Sequence, residues 1–183
     1  MNFLSVLFLL FCAGLIIIYY IVPGRFQWVV LLIASCIFYL SGGWKSFIYV
    51  LITAFTTFLA THYMDKVKAE QKAWIKANKA TTSKEERTAF KGKCNKKRRR
   101  AMVATLVLNF GILCFFKYLH FAIAQINSVI EAAGGTGIVD TWQLIIPLGI
   151  SFYTFQTMGY LVDVYWEKTP AEKNFFKVLL FVS

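Results

Sequence analysis

Between Gly149 and Asp163 the chain places polar groups at a spacing that a helix would gather on one side. Gly149, Tyr153, Gln156, Tyr160 and Asp163 follow steps of 4, 3, 4 and 3 residues, and residues three and four apart share a helical face. Two phenols, an amide and a carboxylate on one face of an otherwise apolar helix can do one of two things. They can act as hydrogen-bonding glue toward neighbouring helices, or they can line a passage for a polar substrate. Tyr153, Gln156, Tyr160 and Asp163 are therefore the tunnel-lining candidates. Asn109 and Lys117 raise the same question in an earlier apolar run, although Lys117 is long enough to reach an interface from inside.

The residue types that would do covalent chemistry are sparse. The two histidines, His62 and His120, have no carboxylate or cysteine at a spacing that suggests a triad or a zinc site. The four cysteines (Cys12, Cys36, Cys94 and Cys114) contain no CxxC pair, so they indicate neither a metal centre nor a disulfide framework. Gly149-Ile150-Ser151-Phe152-Tyr153 lacks the second glycine of a nucleophile elbow. Gly134-Gly135-Thr136-Gly137 lacks the lysine and the preceding strand of a phosphate loop. His62 and His120 read as satisfied or interfacial side chains, with a functional role for either as the alternative, and no metal ion or bound cofactor is expected within these 183 residues.

The elements that must position the polar face are set by composition. Hydrophobic residues make up 58% of the chain and aromatic residues 17%, against about 45–50% apolar in a soluble domain. The excess lies in long uncharged runs, and the expectation is an all-α membrane protein, a polytopic helical bundle of about five spans plus the start of another. Residues 1–64 form three spans, turning at Pro23-Gly24-Arg25 and at Gly42-Gly43-Trp44, because Pro and Gly break helices. Residues 65–100 form a basic cytoplasmic loop or helix with fourteen Lys/Arg and four Asp/Glu, a net of +10 out of +11 for the whole chain. Val67, Trp74 and Ile75 give this segment a weak apolar stripe that could lie on a lipid surface. Ser83 with Glu86 matches a capping box and predicts a helix start there. Ala101–Ile130 carries one charge, Lys117, and exceeds one span, so a kink or interfacial extension is expected. Residues 101–183 hold the further spans, and Pro147 favours a break before the polar helix. The final run after Lys177 reads as a span cut off at its start.

Charge asymmetry orients the bundle: the basic segment inside, the Glu131–Asp140 loop and the N-terminus outside, in a multi-pass plasma membrane protein. Anionic lipid headgroups are the expected partner of residues 65–100. Nucleic acid is not, because the aromatic interleaving of single-strand readers is missing.

Pro147-Leu148-Gly149-Ile150-Ser151-Phe152-Tyr153-Thr154-Phe155-Gln156, followed by Tyr160-Leu161-Val162-Asp163-Val164-Tyr165, resembles the membrane-bound O-acyltransferase family. The likeness is to its bacterial branch of alginate O-acetyltransferase and the teichoic-acid D-alanyl transfer protein. Leu31–Tyr39, Trp44 and the basic segment after the third span are also similar. The resemblance implies the N-terminal part of a bundle of spans around a tunnel. Through that tunnel an acyl group, acetyl in this branch, passes from a cytoplasmic thioester (acetyl-CoA or an acyl carrier protein) to a hydroxyl of an extracytoplasmic polysaccharide. An extracytoplasmic acetyltransferase is an implied further partner. The family's catalytic His falls beyond Ser183 and neither His62 nor His120 occupies its motif, so the fragment alone is expected to be inactive. The alternative from another class is a polytopic transporter or a non-catalytic membrane scaffold using the same polar helix.

Overall fold

The computed structural model describes residues 6–41, 44–78, 83–134 and 149–183. The turn at Gly42-Gly43, the loop from Gly135 to Asp140 and the break at Pro147 lie outside the described residues. Within them the chain is all-helical: α1 (Val6–Ile21), α2 (Gln27–Ser41), α3 (Trp44–Ala77), α4 (Lys84–Ala132), α5 (Ile150–Tyr165) and α6 (Phe175–Val182). One described helix is long and apolar enough to cross a membrane, over Phe47–Ala77. The apolar helices Phe8–Ile21, Gln27–Ser41 and Phe121–Ala132 are shorter than a full crossing needs.

Two of the helix boundaries have a clear local cause. Between α1 and α2 the Phe26 N–H donates to the Pro23 carbonyl at 2.8 Å, and the Gln27 amide donates back to the Tyr19 carbonyl at 3.3 Å. No proline or glycine interrupts Trp44–Ala77, so α3 runs 34 residues, roughly 50 Å. Ser83 caps α4 as its spacing predicted, although its hydroxyl accepts from the Glu85 N–H at 3.3 Å. Glu85 and Glu86 in the first turn favour the positive end of the helix dipole. Once started, α4 continues unbroken for 49 residues through Gly92 and Gly111, so no helix end divides Ala101–Ile130. The basic segment is thus mostly two helical arms, and only residues 78–83 connect them.

Gly149 precedes α5 at φ +74°, a left-handed conformation that costs an L-residue about 1–2 kcal/mol. Among the described residues nothing lies within 4 Å of where a Cβ would stand, so backbone strain is the effect expected of a side chain there. Gly149→Ala should lower stability by about 1 kcal/mol, read as a lower thermal midpoint in detergent.

Two clusters give the packing directions. Val50 and Ala54 of α3 pack with Leu113 of α4, Ile150 and Tyr153 of α5, and Val178, Leu179 and Val182 of α6. Further along, Ala60 and Met64 pack with Leu161 and Val164, against Ala101, Met102 and Leu106. Residue numbers rise together on α3 and α5 and fall on α4, so α5 is parallel to α3 and α4 antiparallel. Helix α3 is the axis of the bundle.

Candidate functional site

Tyr153, Gln156, Tyr160 and Asp163 all lie on α5, but they meet different partners and only Tyr153 of the four is buried. Tyr153 is 2% exposed and packs in the first cluster, beside Tyr39 and Tyr49. Among the described residues its buried hydroxyl has no hydrogen-bond partner. Gln156 donates to the Phe181 carbonyl of α6 at 2.8 Å. The Tyr160 hydroxyl accepts from the Glu172 N–H at 2.9 Å, and its ring meets that of Phe181 at 5.6 Å. Asp163 sits 3.9 Å from Lys168 in the turn that follows. Gln156 and Tyr160 therefore tie α5 to α6 and its connector, while Tyr153 faces α3.

A second polar feature lies along α3 and was not singled out in the sequence. Thr53, Thr57 and Thr61 recur every four residues and are 3%, 1% and 0% exposed. Thr154 and Thr157 of α5 are buried as well. Most of these hydroxyls are satisfied by their own helix: Thr61 donates to the Thr57 carbonyl at 3.0 Å, Thr154 to Ile150 at 2.6 Å and Thr157 to Thr154 at 2.8 Å. Thr56 donates to buried Asn109 of α4 at 3.2 Å. Thr57 Oγ1, like the Tyr153 hydroxyl, is buried with no partner among the described residues. The four-residue spacing was the available signal. Threonines tolerated in any span concealed it.

A third feature closes the end of the bundle where the charges begin. Arg98, inside a run of five cations, is 5% exposed. It donates to Glu167 Oε1 at 3.1 Å and to the Tyr165 carbonyl at 2.7 Å, and its guanidinium lies 5.4 Å from the Tyr165 ring centre. Lys68 of α3 reaches the other Glu167 oxygen at 2.9 Å. The hydrogen bond from Lys68 is the main cause holding the Glu167 carboxyl below the usual glutamate range; burial opposes it, and Arg98 adds to it. Glu167 adopts φ +64°, an uncommon backbone for a non-glycine residue. Its carboxylate thus joins α3, α4 and the end of α5. Beside it Met64, Asp65, Lys68, Arg98, Glu167 and Thr169 line a cavity of about 200 Å³.

Among the described residues no group of three or more His, Cys, Asp or Glu side chains could hold a metal ion. His62 is exposed and stacks on Phe58 at 5.9 Å.

An apolar helical bundle with one described helix long and apolar enough to cross a membrane, and with hydroxyls buried between its helices, fits the class of helical membrane proteins with a polar interior seam. Comparison with known proteins narrows the class. Over 182 residues, 100% of the chain and 31% of the relative, the sequence is 30% identical to the Azotobacter vinelandii protein named "Probable alginate O-acetylase AlgI". The Pseudomonas aeruginosa protein of that name is 30% identical over 184 residues, with the same coverage. A Helicobacter pylori protein named "Peptidoglycan O-acetyltransferase" is 35% identical over 71 residues, 39% of the chain and 12% of the relative. No family profile matches the chain, and no solved structure matches it. The chain spans about a third of the length of the alginate O-acetylases it matches. It is related along its whole length to the alginate O-acetylases of the membrane-bound O-acyltransferase family, the family that the Pro147–Tyr165 stretch resembles.

Proposed function

We propose that these helices form part of a membrane-bound O-acyltransferase that moves an acyl group, acetyl in the first instance, from a cytoplasmic thioester to a hydroxyl of an extracytoplasmic polysaccharide. The observation that carries the reading is the 30% identity over the whole chain to proteins named as alginate O-acetylases. The donor is acetyl-CoA or an acyl carrier protein, and an extracytoplasmic acetyltransferase is the further partner. The acyl group would pass along a tunnel to whose wall Tyr153, Gln156, Tyr160 and Asp163 contribute. Abstracting the acceptor proton needs a base within hydrogen-bond reach, and the chain covers 31% of these relatives. Transfer is accordingly a property of a longer polypeptide. The basic segment faces the cytoplasm and the N-terminus the exterior.

Gln156→Leu in the full-length polypeptide tests the tunnel assignment. The substitution removes one interhelical hydrogen bond, worth about 0.6 kcal/mol within a membrane, so membrane abundance should be unchanged. Transfer should fall about tenfold through loss of substrate positioning. Full turnover at equal abundance would remove Gln156 from the tunnel, and loss of folded protein would make it a packing residue. The 183-residue chain alone serves as the inactive control in the same assay. Turnover equal to that of the longer polypeptide would overturn the dependence on the additional residues.

A further inference from the structure

We propose that the base of the α3–α4 hairpin, and not its tip, is a docking belt for anionic phospholipid headgroups, formed by Lys66, Lys96, Lys97, Arg99 and Arg100. The inference rests on the reading of this chain as membrane-embedded and is independent of acyl transfer.

The level of the membrane boundary follows from packing. Ala60 and Met64 of α3 share a cluster with Ala101 and Met102 of α4. The last uncharged turn of one helix therefore lies beside the first uncharged turn of the other. On the far side Trp74 stacks on Phe90 at 4.2 Å, ten residues after Met64 and eleven before Ala101. Both arms thus continue outward in one register. At 1.5 Å per residue that stacked pair stands about 15 Å beyond the boundary, and Lys84 about 25 Å.

All five belt cations are exposed and lie within five residues of Met64 or Ala101, about 7 Å along the axis. That is inside the Debye length of about 8 Å at physiological salt, over which headgroup charge is felt. At about 100° per residue, the four on α4 spread over an arc of about 160°. Arg98, near the opposite side, is turned inward and held by Glu167 and Tyr165. A wide arc at one height fits an annulus of lipids better than one flat protein face. The carboxylates near this level are few. Asp65 stands on α3, Glu167 is bound by Lys68 and Arg98, Asp163 lies beside Lys168, and Glu172 accepts from the Lys173 and Asn174 N–H groups.

The tip provides an internal control. Lys72, Lys76, Lys84, Lys91 and Lys93 are exposed on the same two helices, equal in number to the belt. They stand about 10–25 Å out, where salt screens them from the headgroups.

The test is reconstitution of the protein in nanodiscs of mixed phosphatidylglycerol and phosphatidylcholine, with the phosphatidylglycerol preference of the bound lipids measured at low and high salt. Replacing the five belt cations by Gln should weaken the preference about tenfold and abolish its salt dependence. Replacing the five tip lysines by Gln should leave both unchanged. A belt variant with Lys and Arg exchanged (Lys96→Arg, Lys97→Arg, Arg99→Lys, Arg100→Lys) should keep the preference, which tests charge even if the Gln variant fails to fold. Equal loss in the tip variant, or no change in either Gln variant, overturns the belt. Loss in the tip variant alone, with binding of a soluble acidic protein, would also overturn it and assign the hairpin to a protein partner. Extraction of the wild type by alkaline carbonate would locate the failure in the membrane reading itself.

Discussion

Arg98→Leu should lower the stability of the bundle by about 3 kcal/mol, the largest effect expected from any single charge in the basic helices. A charged hydrogen bond contributes about 1.5–3 kcal/mol, and the substitution removes two: that to Glu167 at 3.1 Å and that to the Tyr165 carbonyl at 2.7 Å. Breaking a buried pair costs about 3–5 kcal/mol. The lower end applies here, because Glu167 is 46% exposed on its side chain and keeps Lys68. Arg98→Lys should recover only part of the loss, since an ammonium lacks the planar fork that serves a carboxylate and a carbonyl together. Arg99→Leu, one residue along and exposed, should change stability by less than about 0.5 kcal/mol. Thermal unfolding in detergent would measure all three, and equal midpoints for the Arg98 and Arg99 variants would refute the assignment.

The same cluster sets a pH dependence. The Glu167 carboxyl is lowered from its ordinary value of 4.5, first by the hydrogen bond from Lys68. A carboxyl with a depressed folded-state value binds its proton more readily in the unfolded chain. Its contribution is therefore present above the unfolded value and is lost as pH falls through the folded one. Wild-type stability should decline on acidification below about pH 4.5, and Glu167→Gln should show a flatter acid limb.

Tyr153→Ala should cost about 2–3 kcal/mol, while Tyr153→Phe should be neutral or mildly stabilising. Tyr153 is 2% exposed at the centre of the cluster that joins α3, α5 and α6. Truncation leaves a void on the order of 100 Å³, and voids cost about 24 cal/mol per Å³. The transfer of the ring between core and lipid adds little inside a membrane, so the cavity carries the effect. The hydroxyl behaves in the opposite sense, because it is buried without a partner among the described residues and removing an unsatisfied polar group relieves its desolvation cost. If transfer in the longer polypeptide fell with Tyr153→Phe while stability held, the hydroxyl would be serving the substrate and not the fold.

Much of the architecture was legible from local rules. The uncharged runs predicted helices, and α1, α2 and α3 occupy them. Ser83 predicted the start of α4, because a cap depends on residues two or three positions away. Tyr153, Gln156, Tyr160 and Asp163 fall within one helix, α5, as a local spacing can dictate, but which of them is buried was not readable from that spacing. The polar residues that the reading passed over are Thr53, Thr57 and Thr61 on α3, and Arg98 on α4. The threonines did carry a signal, a repeat of four, but a hydroxyl that bonds its own helix is tolerated almost anywhere in a span. Arg98 carried none.

By itself the sequence determined that this chain is helical and apolar, that its positive charge is concentrated in one segment, and that its Pro147–Tyr165 stretch resembles that of the O-acyltransferases. Such properties reside in composition and short spacing, and survive whatever the helices later pack against. Tertiary structure decided which of the cations in Lys96-Lys97-Arg98-Arg99-Arg100 turns inward. It also decided which hydroxyls lose their partners and that Gln156 reaches the Phe181 carbonyl. Those outcomes depend on contacts 25 to 69 residues apart in sequence. The helical period presents every member of the basic run to some direction, and only the arrival of Glu167 and Tyr165 beside α4 selects Arg98.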